Sequence, residues 1–318
     1  MKLLKILFCF IILTNFLNAK DIHPTFTYKA SASVTDLVYS NNKIYAGTTA
    51  SIVDIFDTKT KKKINSINLP KVKDFMGDIV DSKIYSVDVF NDNILILAQG
   101  EKGGRDIYLY KNKKLINIVS SKERMFIARA KFISDDKIVF SLLSNQVYLF
   151  DIKTKTNIYK KQISQSKFSY FALSEDKKAL VIADESGILN MIDVLSSKTI
   201  KTFENQNLDN VFQVDIKNNT ILTAGQDRRA VVYNTQNNDA YYKSTTFLIY
   251  SAGLSPSAIL GAIAYNEDNE ISIFNTNTKK DLHILKENKT TLTNILFISE
   301  TEVLTSSDDE RINYYKID

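Results

Sequence analysis

Few side chains in this chain are equipped to make or break bonds, and their spacing argues against most such chemistry. Two histidines occur, His23 and His283. Neither neighbours a second histidine or a carboxylate pair, which an imidazole metal site or a nucleophile–base relay would need. The single cysteine, Cys9, lies in an apolar run at the start of the chain. Once that run is removed, no disulfide, thiolate nucleophile or thiolate metal site can form. The chain also has no haem-attachment motif, so it cannot itself carry electrons. Asp36, Asp88 and Asp215 fall at matching places in apolar runs and are the carboxylates from which a calcium site would be built. Calcium needs several converging oxygens, and no ligand-rich loop accompanies these three. No glycine-rich loop is placed to cradle a phosphate. The expectation is a non-enzymatic protein with no cofactor and no metal.

The elements that position these residues repeat. An apolar run ending in a polar residue occurs seven times, as in Ile52-Val53-Asp54-Ile55-Phe56-Asp57 and Val147-Tyr148-Leu149-Phe150-Asp151. The closing residues are Asp57, Lys111, Asp151, Asp193, Asn234, Asn275 and Lys316, at intervals of 54, 40, 42, 41, 41 and 41. A period of about 40–45 residues built from short strands marks a β-propeller blade. Within the fifth repeat, strand a (211–215), strand b (221–224), strand c (230–233) and strand d (240–243) are separated by Asn-, Asp- and Gly-bearing turns. Strand c is the most continuously apolar, as expected of a strand buried on both faces between blades. The seventh repeat stops after strand c. Its missing strand d is available as Phe26-Thr27-Tyr28-Lys29-Ala30, which would close the ring and remove both open edges. The expected fold class is therefore all-β, a seven-bladed β-propeller whose last blade is closed by the N-terminal strand.

The first nineteen residues read as a leader rather than as fold. Lys2 and Lys5 precede an apolar stretch ending in Leu17-Asn18-Ala19, the pattern of a cleaved signal peptide. The stretch is short for a membrane span, which needs about 20 residues. The expectation is a signal peptide over 1–19, a propeller over 20–318, export to the periplasm and no stable membrane insertion after cleavage. Removing Lys2 and Lys5 from the 41 basic residues leaves a small excess over the 36 acidic ones. That balance argues against a nucleic-acid partner. A monomer is expected.

In a four-stranded meander the d–a and b–c connections emerge on one face, here called the top. The unusual segments fall in those classes: 72–78, 205–210 and 244–247 between strands d and a, and 100–106, 184–187, 226–229 and 308–311 between strands b and c. Asp74, Phe75, Met76, Arg105, Asp227, Arg228, Arg229, Tyr241, Tyr242 and Lys243 lie in or beside them. Aromatics, Met and Arg are enriched where proteins meet, so these ten residues are the candidate partner-binding face. For Asp227, as for Asp184 and Asp308 or Asp309, the alternative is a turn cap. Arg228 and Arg229 can equally be a solvated pair, and Tyr241 and Tyr242 a cover for the blade edge.

The segment running from Thr223 through Gly225-Gln226-Asp227-Arg228-Arg229 to Tyr233-Asn234 resembles a WD repeat, with Phe56-Asp57, Phe150-Asp151 and Ile192-Asp193 in the place of Trp-Asp. No tryptophan occurs, so the likeness is to a divergent, WD-like propeller. Further segments include Lys73-Asp74-Phe75-Met76-Gly77-Asp78, Ala183-Asp184-Glu185-Ser186-Gly187 and Tyr250-Ser251-Ala252-Gly253-Leu254-Ser255-Pro256-Ser257. Together they resemble the NapL family, WD-repeat-like accessory proteins encoded with periplasmic nitrate reductase in Campylobacter-type bacteria. That resemblance implies a periplasmic, non-catalytic partner protein supporting nitrate respiration, by maturation or electron-transfer support, with nitrate reductase components as partners. It transfers no active site. Two other readings stay open: a general envelope-assembly scaffold, and a propeller hydrolase with a metal in its channel.

Overall fold

The protein is described here from a computed structural model covering residues 19–317. Apart from Ala19, the expected leader lies outside the described residues. Seven sheets succeed one another around a ring, six of four antiparallel strands and one, the sixth blade, of five. Six are meanders, spanning residues 34–68, 84–119, 127–162, 168–203, 211–244 and 252–285. The seventh combines strands within 292–316 with the N-terminal strand Phe26–Lys29. That strand pairs antiparallel with Arg311–Lys316, Phe26 opposite Tyr314 and Lys29 opposite Arg311. The expected closure is therefore present.

Local chemistry explains the sheets. The a–b turns of blades one, two and five carry Asn41-Asn42, Asn91-Asp92 and Asn218-Asn219, with positive φ at both residues of each pair. That is the backbone of a tight hairpin turn matched to strand twist, and Asn and Asp tolerate it best. Strands b and c are the buried ones: Ala179–Asp184 is buried throughout, and Ile52–Asp57, Gln146–Asp151 and Arg229–Asn234 are buried at all but their ends. Strands d, such as Lys62–Asn68, are largely exposed.

The core is divided into seven clusters, each drawn from two adjacent blades. One joins Leu97 and Ile107 of blade two to Phe132 and Phe140 of blade three. Another joins Tyr28, Ile312 and Tyr314 of the seventh blade to Leu37, Ile44 and Phe56 of the first. The N-terminal strand thus completes the last blade-to-blade core as well as the last sheet.

Strand a carries the hub, and the carboxylates considered for calcium are fasteners there. Asp36 accepts from the Val87 amide at 2.8 Å, Asp88 from Phe132 at 2.7 Å, and Asp215 from Leu254 at 2.9 Å. Each therefore bonds the backbone of the next blade. Arg129 lies 3.6 Å from Asp36, and Lys131 lies 3.6 Å from Asp88. Among the described residues, no group of three or more His, Cys, Asp or Glu is placed to hold a metal ion.

Two elements depart from the sequence expectation. Lys20–Ile22 adds to the outer edge of blade six as a fifth, parallel strand, Lys20 opposite His283 and Ile22 opposite Leu285. Between blades one and two, Val72–Lys73 and Ile79–Val80 form a small hairpin of their own. No helix among the described residues is long and apolar enough to cross a membrane.

Candidate functional site

The hairpin between blades one and two is shaped by its own turn residues. Asp74 accepts from the Met76 and Asp78 amides at 2.8 and 2.9 Å, and its amide donates to the Asp78 carbonyl at 3.0 Å. Gly77 supplies the positive φ of 92° that the reversal needs. The turn lifts two apolar side chains into solvent: Phe75 is 77% exposed and Met76 86%. Ile79, on the returning strand, is 70% exposed. Water-facing apolar residues at one tip are the informative kind of exposure.

Beneath that tip lies the b–c connection of blade two. A short 3-10 turn, Glu101–Gly103, leads into strand c. Arg105 pins it, donating to the Gly103 and Gly104 carbonyls at 2.6 and 3.1 Å while its guanidinium lies 4.0 Å over the Tyr85 ring. Burial pushes the Arg105 pKa down from its usual value. Gly103 is required twice: its φ is 70°, and a Cβ there would meet the Phe75 ring at 2.8 Å. Gly103 is therefore the seat of Phe75, and Arg105 holds the seat in place.

A second arrangement of the same kind sits at the junction of blades four and five. Asp227 accepts from the Arg229 amide at 3.0 Å and from the Leu208 amide at 2.7 Å. Arg229 donates to the Gln206 carbonyl at 2.8 Å and lies 4.4 Å over the Tyr242 ring. These bonds fix the 205–210 connection and leave Leu208 64% exposed. Arg228, at a φ of 63°, stays exposed.

The ten residues of the expected face thus separate by role and by place. Phe75, Met76, Arg228 and Tyr242 are exposed to solvent. Asp74, Arg105, Asp227 and Arg229 spend their polar atoms inside the fold, as supports. Tyr241 and Lys243 are half-buried and are engaged within the fold. They lie on the outer strand Ala240–Ser244 and fasten blade five to blade six. Tyr241 donates to the Thr276 carbonyl, and Lys243 bonds the Lys279 carbonyl at 3.1 Å and pairs with Asp281 at 3.1 Å. Burial raises the Tyr241 pKa to about 12, so its phenol stays neutral. The face does not form one patch either: Phe75 and Arg105 belong together at blades one and two, and Asp227 to Tyr242 belong together at blades four and five.

Sequence reasoning missed Ile79, Phe126, Leu143 and Leu208. Phe126, 52% exposed, ends the connection between blades two and three, and its carbonyl accepts from the Leu143 amide at 2.9 Å. Phe126 and Leu208 sit in d–a connections, the same class as Phe75, and that class was the available signal.

The channel is closely furnished at its hub. Arg129 stacks 3.9 Å over Tyr170, and Gln213 crosses from blade five to the Thr293 carbonyl of blade seven at 2.6 Å. Burial works against the Arg129 charge, but Tyr170, Asp36 and Asp88 outweigh it and hold the pKa above its usual value. Burial raises Tyr170 to about 12. Arg129 stays charged and is neutralised locally, so the hub offers its cation as structure.

Comparison with known proteins shows the fold. No protein-family model and no curated protein sequence matches the chain. Among solved structures, it is similar to the β-propeller domain of Myceliophteria thermophila Cps50 (Swd1), with a TM-score of 0.74 and 13% identity. The match covers 93% of this chain and 99% of that one. The chain has the seven-bladed, WD40-like propeller fold.

Proposed function

We propose that this chain is a non-catalytic scaffold that docks a protein partner on its top face, and that the partner belongs to the periplasmic nitrate reductase system. One observation carries the docking role. Phe75 and Met76 are 77% and 86% exposed at the tip of a turn that the Asp74 carboxylate holds in shape through the Met76 and Asp78 amides. A small set of apolar anchors carries most of the energy of a protein interface. The nitrate-reductase client is supported by the sequence resemblance to the NapL family, and export by the signal-peptide pattern. Binding without chemistry agrees with the fold, which hosts many unrelated functions.

The test is capture from periplasm of nitrate-grown cells, using the tagged full-length chain and mass spectrometry of what is retained. Nitrate reductase subunits are expected with the wild type and lost with F75S/M76S, the melting temperature being unchanged. Retention of outer-membrane assembly factors instead would replace this client with the envelope-assembly reading. Equal retention of nitrate reductase by the double variant would remove the blade-one-to-two tip from the interface.

A further inference from the structure

Phe75 and Phe126 stand on two walls of one cleft of about 550 Å³ on the top of blade two. Its floor is Gly104 and Ser121, and its rim carries Lys102, Lys122 and Arg124 against a single lining carboxylate, Glu101. All three cations are exposed, and none is within ion-pair distance of a carboxylate among the described residues. Their placement is local. Lys102 adopts φ 50° in the turn that seats Phe75, and Arg124 adopts φ 56° at the end of the 3-10 turn Ser121–Glu123. Of the neighbouring acids, Asp74 is bonded to its own turn, and Glu123 and Asp78 do not line the cleft.

We infer that this cleft binds an acidic, extended segment of a partner protein whose single aromatic or leucine side chain inserts between Phe75 and Phe126. The inference rests on the docking role proposed above and names the chemistry of the docked segment. The cleft is concave, which suits an inserted side chain. A cationic rim around an apolar pocket selects an anchor flanked by carboxylates, since rim charges set encounter and specificity while the buried anchor holds the complex.

The probes are fluorescein-labelled peptides of Asp and Glu around one central Phe, the same peptide with Ala for Phe, and a Lys-for-acid version, measured by anisotropy with the full chain. The acidic Phe peptide is expected to bind, more weakly as salt rises. Affinity should fall about ten-fold or more in K102E/K122E/R124E and with the Ala peptide. Phe126→Ser provides the apolar control, and melting curves verify that each variant is folded. No binding of the acidic Phe peptide, or binding unchanged by the triple substitution, overturns the inference. So does sedimentation with phosphatidylglycerol vesicles in the absence of peptide binding, which would make the cleft a lipid contact. The two proposals fail separately. If the triple variant still captures nitrate reductase subunits, the cleft assignment falls and the docking role stands. If the wild type captures no client yet binds the peptide, the client assignment falls and the cleft stands.

Discussion

A charged side chain in a surface turn either meets a partner or holds the turn, and the adjacent arginines Arg228 and Arg229 divide between these roles. Arg228 projects into solvent, whereas Arg229 bonds the Gln206 carbonyl and covers Tyr242. Alanine at 228 should leave the melting temperature unaltered. Alanine at 229 should cost about 1–2 kcal/mol through lost packing and a lost hydrogen bond. Thermal melts of the two single variants check this, and equal effects would contradict the division. Residue types and loop classes were legible in the sequence. The role of each polar residue was not, because Arg229 is distinguished from Arg228 only by what the 205–210 connection places next to it. Asp54 shows the same limit. It reads as one polar residue in an apolar strand, yet it is fully buried and accepts from the Ser31 amide at 2.6 Å and from Lys63 at 3.0 Å.

At the scale of elements, the blades were readable because each repeats apolar runs and turn residues at a near-constant interval. The strand Lys20–Ile22 and the hairpin at 72–80 were not, since two- or three-residue strands carry no periodicity. The first of these has an electrostatic anchor. Lys286 pairs with Glu270 at 2.6 Å and with Asp21 at 3.5 Å, and its amide donates to the Ile22 carbonyl at 2.9 Å. Burial works to raise the Glu270 pKa, but hydrogen bonds from Lys286, Tyr265 and Asn266 outweigh it and hold it below its usual value. A depressed carboxylate stabilises fully above its unfolded value of about 4.3 and loses that contribution as pH falls through the folded value. Protection of the Lys286 amide from hydrogen exchange, corrected for the intrinsic rate, should therefore fall below about pH 4. Glu270→Gln should remove that dependence. Protection indifferent to acid in the wild type would mean that sheet pairing alone holds the strand.

For the whole molecule, stability depends on seven blade-to-blade cores joined in a closed ring. The segment 26–30 completes one of them: Tyr28 is 3% exposed and Ala30 5%, both against blade one. Deleting residues 20–30 should lower the melting temperature by about 10 °C or more, because it reopens two edges and uncovers Ile312 and Tyr314. An unchanged melt would refute closure as a source of stability. The closure itself was legible, because a seventh repeat that lacks strand d and an unassigned N-terminal strand complete one another. That closure has a consequence in time. The Thr25 amide bonds the Tyr314 carbonyl, and the Ala30 amide bonds that of Glu310. The strand Phe26–Lys29 therefore stays unseated until residues 310–314 are in place, so closing the ring is a late event in folding, and a protease that cuts at an open N-terminal strand would report the molecules that have not yet reached it.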